Sequence, residues 1–224
     1  MTPVFPSHDP VIWPVTDRTG GFPARRVFCV GKNYADHVAE MAALGLGSDV
    51  AKSEPIFFTK SVHCLVHPGA PATYPANTSD LHHEVELVVC MGPDGRDGCK
   101  VWGHAVGIDL TRRDLQSAAK AKGQPWDRAK SFPDSAPMGA ITPGAVRADA
   151  AIALTVNRKP RQSSTLAHMI WSVEEIVARL QVDMDLQAGD VIFTGTPAGV
   201  GAVVAGDVIV ATVEGLATLQ TKVI

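Results

Sequence analysis

Leu81-His82-His83-Glu84-Val85-Glu86-Leu87-Val88-Val89 is the stretch on which the fold and chemistry of this 224-residue chain turn. A β-strand presents alternate residues on one face, so Glu84 and Glu86 point the same way out of an otherwise apolar run. Val85, Leu87 and Val89 then bury the opposite face. Two carboxylates side by side repel each other, and a cation between them removes the repulsion. Asp109 offers a third oxygen ligand at the end of a second apolar run, Val106-Gly107-Ile108. Three carboxylates with no cysteine or obligatory imidazole describe a site for a hard divalent cation, Mg²⁺ or Mn²⁺ before Zn²⁺. Taken alone, Glu-x-Glu also fits an exposed strand face with solvated glutamates, and the rest of the chain has to decide.

Working outward, the cluster Gly92-Pro93-Asp94-Gly95-Arg96-Asp97-Gly98 closes a hairpin between the acidic strand and residues 100–109. Upstream, residues 26–30 and 55–60 are strand-like, residues 62–66 continue the second, and Pro68-Gly69-Ala70-Pro71 turns the chain. His63 and His67 fit structural or exposed positions. Residues 1–24 carry Pro3, Pro6, Pro10, Pro14, Gly20, Gly21 and Pro23, too many breakers for a helix. They read as an N-terminal arm, and residues 25–224 as a single catalytic domain. Downstream, residues 151–156 form a strand, Asn157-Arg158-Lys159-Pro160 a turn, and Ser172 caps a helix over 173–180. Strands follow at 191–194, 208–213 and 218–223.

Chemistry-bearing side chains recur at helical spacing. In Asn33-Tyr34-Ala35-Asp36-His37-Val38-Ala39-Glu40-Met41, His37 and Glu40 stand three apart and share a helix face. A carboxylate beside an imidazole orients it as a general base, although a surface His–Glu pair has the same spacing. Gly45, Gly47 and Ser48 then open a loop. After Asp109, Thr111 is an N-cap with Asp114 three residues on, and Arg113 and Gln116 again share a face. Arg113 can hold a carboxylate and Gln116 can donate a hydrogen bond. Ala129-Lys130-Ser131-Phe132 falls in a loop between prolines. Gly195-Thr196-Pro197-Ala198-Gly199-Val200-Gly201 lets backbone approach a ligand closely; with no Gly-Lys-Ser/Thr it is not a P-loop.

Composition narrows the classes. A net charge of −3 gives no basic footprint for nucleic acid. Hydrophobic residues make up 46% of the chain, which excludes general disorder, yet no apolar run approaches a membrane span. Cys29, Cys64, Cys90 and Cys99 form no Cys-x-x-Cys pair. With no signal-like start they fit reduced thiols in a cytoplasmic protein.

Five motifs in order resemble the fumarylacetoacetate hydrolase family: Gly31-Lys32-Asn33-Tyr34-Ala35-Asp36-His37, His83-Glu84-Val85-Glu86, residues 109–116, Pro125-Trp126 with Ala129-Lys130, and residues 194–201. Within the family the likeness is greatest to members that hydrolyse acylpyruvates, fumarylpyruvate in gentisate breakdown above all. The resemblance implies an α+β, mostly β fold, a mixed β-sheet roll with short peripheral helices, assembled as a homodimer. It implies one Mg²⁺ or Mn²⁺ per subunit on Glu84, Glu86 and Asp109, and His37 with Glu40 as the water-activating pair on a segment that acts as a lid. Lys130 joins the catalytic set, and Lys32, Arg113, Gln116 and Thr196 hold a small 2-oxo or diketo acid. Lys32 stands where relatives often carry arginine, the hairpin after Met91 is short, and residues 42–51 differ from compact relatives. An oxaloacetate decarboxylase or another 2-oxo acid lyase or isomerase would use the same chelation. A non-catalytic, metal-stabilised binding protein would use the triad alone and leave His37, Arg113 and Lys130 without a purpose.

Overall fold

A computed structural model of the chain describes residues 4, 9–43, 54–95 and 98–224. Its centre is a six-stranded mixed sheet in the order Thr142–Pro143, Gly98–Ile108, Val85–Asp94, Val191–Phe193, Val27–Gly31 and Ile56–Lys60. Only the Val191–Phe193/Val27–Gly31 pair runs parallel. A four-stranded antiparallel sheet, Lys159–Thr165, Ala151–Val156, Val208–Val213 and Leu219–Lys222, packs against it. Leu87, Val89 and Met91 face Ile152, Leu154 and Ile209 in the larger core. Val88 and Cys90 point the other way, into a second core with Trp13, Cys29, Met138 and Phe193. The fold is the expected mostly β, mixed-sheet roll with short helices.

The acidic stretch is not one strand. Leu81–His83 belongs to a separate three-stranded sheet with Gly201–Val203 and Thr111–Arg112. The chain crosses between sheets at Glu84 and continues as Val85–Asp94. From Leu87 to Met91 both faces of that strand are apolar and buried, because the sheet is covered on both sides. The hairpin is longer than the turn residues imply: the strands reach Asp94 and Gly98, with a register shift after Cys90.

Among the described residues four α-helices decorate the sheets: α1 (Ala35–Ala43), α2 (Arg113–Ala121), α3 (Asp127–Lys130) and α4 (Val173–Met184). Thr111 does not cap α2. It lies in the Thr111–Arg112 strand, and Arg112 occupies the N-cap without a side-chain bond. Lys130 ends a one-turn helix instead of lying in a loop. The 157–160 turn narrows to Asn157 and Arg158, both at positive φ, with Lys159 and Pro160 already in the next strand. α4 runs past residue 180 to Met184, and Ser172 and Glu175 form a reciprocal capping box at its start. Residues 11–24 form a small hairpin, Val11–Trp13 with Phe22–Ala24. Its Trp13 is buried, donates to the Gly139 carbonyl at 2.8 Å and stacks on His67. The four cysteines are free thiols. Gly45, Gly47 and Ser48 of the expected lid loop lie outside the described residues. Among the described residues no helix is long and apolar enough to cross a membrane.

Candidate metal centre

The antiparallel register sets Val85 opposite Ile108 and Glu86 opposite Gly107. Asp109, the next residue, donates its N–H to the Glu84 carbonyl at 2.8 Å. These backbone bonds bring one oxygen from each of Glu84, Glu86 and Asp109 within 4.8 Å of one another. The three residues are 4%, 2% and 0% exposed, which eliminates the solvated strand face.

Cations surround the triad. Lys130 Nζ donates to Glu84 Oε2 at 2.7 Å, Asp109 Oδ2 at 2.6 Å and Thr111 Oγ1 at 2.7 Å. Arg113 donates to Glu84 Oε1 and, at 2.5 Å, to Gln116 Oε1. Lys60 Nζ lies 2.8 Å from Asp109 Oδ1. Its N–H groups are spent on the carbonyls of Leu110, Lys130 and Ser135 and on Ser135 Oγ, so Asp109 Oδ1 accepts no hydrogen bond from the described residues. Burial alone would push the Glu84 carboxyl up, but Lys130 and Arg113 outweigh it and hold the group well below the usual range. Glu86 is the reverse case: burial, then Asp109 and Glu84 beside it, push it well above that range. This donor set fits a hard divalent cation. It offers three carboxylates, one with a buried unused lone pair, and a Glu86 whose ionisation is favoured by added positive charge.

Gly195 closes the far side, its N–H donating to Glu86 Oε2 at 2.7 Å. Its φ of +98° and a Cβ position 2.6 Å from Asn33 Cβ leave room for glycine only. Asn33 in turn bonds Trp171 N–H and the Trp171 and Thr194 carbonyls, pinning the turn that carries Lys32 at a φ of 60°.

A cleft of about 450 Å³, its open mouth included, rises over the triad; its wall carries Lys32, His37, Arg113, Gln116, Lys130 and Thr196. Glu40 stands behind His37, with Oε2 3.3 Å from Nδ1. The Glu40 carboxylate also accepts the Gly199 N–H at 3.1 and 3.2 Å. The hydrogen bond with His37, aided by Gly199 and set against burial, keeps the Glu40 carboxyl below its ordinary value. An ionised Glu40 requires the proton on Nδ1, which makes Nε2 the basic nitrogen of the ring. The sequence-predicted residues are thus brought together around one cleft.

Residues 26–224 match the family model described as fumarylacetoacetate (FAA) hydrolase C-terminal. The chain belongs to the fumarylacetoacetate hydrolase family. It is 44% identical over 188 residues to a fumarylpyruvate hydrolase of a Ralstonia species, covering 80% of this chain and 98% of that one. It is 39% identical over 208 residues to a mitochondrial oxaloacetate tautomerase of Bos taurus, covering 89% and 91%. Among solved structures, fumarylpyruvate hydrolase from Pseudomonas aeruginosa in complex with Mn²⁺ and pyruvate superposes with a TM-score of 0.92 at 39% identity, covering 100% and 99%.

Three site neighbours escape a reading of the sequence alone. Lys60 ends an apolar strand, and its only signal is a charge at the end of Ile56-Phe57-Phe58-Thr59. Lys120 lines the cleft beside Trp126, its Nζ 5.1 Å from the ring centroid. Gln162 sits in a strand whose immediate neighbours are exposed, yet it is 1% exposed and bonds Thr196. Arg112, by contrast, stays off the triad and lies over the Phe132 ring at 4.2 Å.

Proposed function

We propose that this family member hydrolyses the C–C bond of an acylpyruvate, fumarylpyruvate first, to fumarate and pyruvate. One observation carries the reading: a His37–Glu40 pair suited to activating water shares a cleft with a buried carboxylate triad. The 44% identity to a fumarylpyruvate hydrolase supports the choice of substrate.

Glu84, Glu86 and Asp109 would hold Mg²⁺ or Mn²⁺, whose Lewis acidity suits the negative charge that builds on a 2-oxo acid as its C–C bond is cut. Arg113, Gln116 and Lys32 grip the acid end of the substrate by charge and hydrogen bonding. His37 takes a proton from water at Nε2 while Glu40 holds Nδ1–H. The hydroxide adds to the acyl carbonyl, the bond to the pyruvate carbon breaks with its electron pair kept by pyruvate as the enolate, and the proton held by His37 returns to that carbon. The Lys130 ammonium and the Thr196 hydroxyl oppose the developing negative charge.

A second reading is favoured by the 39% identity to an oxaloacetate tautomerase. Moving a proton within oxaloacetate uses the same grip on the acid but consumes no water. The two separate when purified protein with Mn²⁺ is given fumarylpyruvate and, in parallel, enol-oxaloacetate. Release of fumarate and pyruvate that disappears in His37→Asn supports hydrolysis. Tautomerisation of oxaloacetate with no cleavage of fumarylpyruvate overturns it.

A further inference from the structure

We propose that Gln162 is a positioning residue which fixes the Thr196 hydroxyl as a hydrogen-bond donor into the cleft; the inference rests on the 2-oxo acid reading above. Gln162 lies on the Lys159–Thr165 strand, outside the metal-bearing sheet, and nothing in its spacing marks it for chemistry.

Its amide can be oriented without ambiguity, because two of its partners have only one possible role. The Val85 N–H can only donate, and it sits 3.0 Å from one terminal atom, which is therefore Oε1. The Pro197 carbonyl can only accept, and it sits 2.9 Å from the other, which is therefore Nε2. The second lone pair of Oε1 faces His83 Nδ1 at 3.0 Å, so the His83 proton is on Nδ1. His83 Nε2 is left as a buried lone pair without a partner among the described residues, a smaller penalty than an orphaned N–H. The remaining Nε2 hydrogen of Gln162 points at Thr196 Oγ1 at 2.7 Å.

Thr196 Oγ1 is thereby an acceptor on its protein side. Its own O–H finds no acceptor among the described residues, and the side chain lines the cleft. With one lone pair taken by Gln162, the hydroxyl's O–H is left to donate into the cleft, to a carboxylate or carbonyl oxygen. The same amide ties the Thr196–Pro197 loop to Val85, which stands between Glu84 and Glu86 in the chain. Gln162 thus turns a hydrogen-bond donor on one wall of the cleft towards oxygen atoms of the ligand without touching them.

Isothermal titration of Mn²⁺-loaded protein with oxalate tests this, using wild type, Gln162→Met, Thr196→Val, the double variant and Thr196→Ser. Gln162→Met and Thr196→Val are each expected to weaken oxalate binding roughly 10- to 100-fold, the loss of one hydrogen bond to a charged group. The double variant is expected to be no weaker than the worse single, and Thr196→Ser to stay near wild type. Mn²⁺ affinity without oxalate is expected to be unchanged throughout. Additive losses, a fall in Mn²⁺ affinity in Gln162→Met, or wild-type binding by Thr196→Val would each overturn the assignment. Should Gln162→Met fail to fold, the Thr196→Val and Thr196→Ser pair still decides whether the hydroxyl donates to the ligand. Oxalate failing to bind the wild type would overturn the 2-oxo acid reading itself, an outcome distinct from failure of the Gln162 assignment.

Discussion

Replacing Lys130 by methionine should separate what the lysine does for the fold from what it does for turnover. The side chain is 3% exposed, and its ammonium contacts Glu84 and Asp109 at 2.7 and 2.6 Å. At an effective dielectric of about 20, each contact is on the order of 6 kcal/mol of gross attraction. Desolvation cancels much of that, and removing one partner of a buried pair costs about 3–5 kcal/mol net. For a chain of this size each kcal/mol moves the melting temperature by roughly 2–4 °C, so Lys130→Met should melt about 6–20 °C below wild type in EDTA. Saturating Mn²⁺ returns positive charge to the same carboxylates, so the deficit should shrink to less than about half. The pH dependence has a fixed sign. Wild-type Glu84 is held well below the ordinary carboxylate range by Lys130 and Arg113 against the cost of burial. Its stabilisation is therefore present above that range and lost as pH falls below it. The gap between wild type and variant should be widest near neutral pH and close in acid. Differential scanning fluorimetry across pH, with EDTA and with Mn²⁺, measures all of this. An equal deficit in EDTA and Mn²⁺, or one under about 2 °C in EDTA, would refute the reasoning.

The other expectations concern the cleft. His37→Asn should lower kcat by roughly 10²- to 10⁴-fold, the usual worth of a general base, and leave Mn²⁺ affinity intact by titration calorimetry. Burial, with Arg113 and Lys130 nearby, pulls Lys120 down to about 8, so its positive charge is present below that pH and lost above it. KM for a dianionic substrate should rise as pH passes about 8, and Lys120→Arg, which stays charged, should shift that limb upward in steady-state kinetics. Gly195→Ala forces a Cβ into Asn33 at a positive φ and should cost roughly 1–3 kcal/mol by urea unfolding. It should weaken Mn²⁺ binding as well, since the Gly195 N–H bonds Glu86.

The site was legible where its signals are local. Acidic residues inside an apolar run, His37 three before Glu40, and Arg113 three before Gln116 need only the period of a strand or helix to be paired. All of these meet around one cleft. Two of the residues that escaped are fixed by partners far along the chain: Lys60 by Asp109, and Gln162 by Val85 and Thr196. No spacing rule reaches across such separations. Thr111 shows how tertiary demand overrides a local preference. A threonine before an acidic turn signals an N-cap, but here its hydroxyl accepts from Lys130 and donates to the Asp109 carbonyl. The split of the acidic strand at Glu84 was equally hidden, because Leu81–His83 leaves the large sheet to pair with Gly201–Val203, over a hundred residues away. The mixed roll itself could be expected from the family motifs, whereas the order of its strands could not be read from hydrophobic periodicity.

Crystals grown with Mn²⁺ test most directly, by anomalous scattering at the manganese edge, whether Glu84, Glu86 and Asp109 close around one divalent cation. The expected result is a single strong peak per chain between the three carboxylates, absent in crystals of Asp109→Asn. Crystals saturated with Mn²⁺ that show no peak there, or one bound elsewhere, would contradict it.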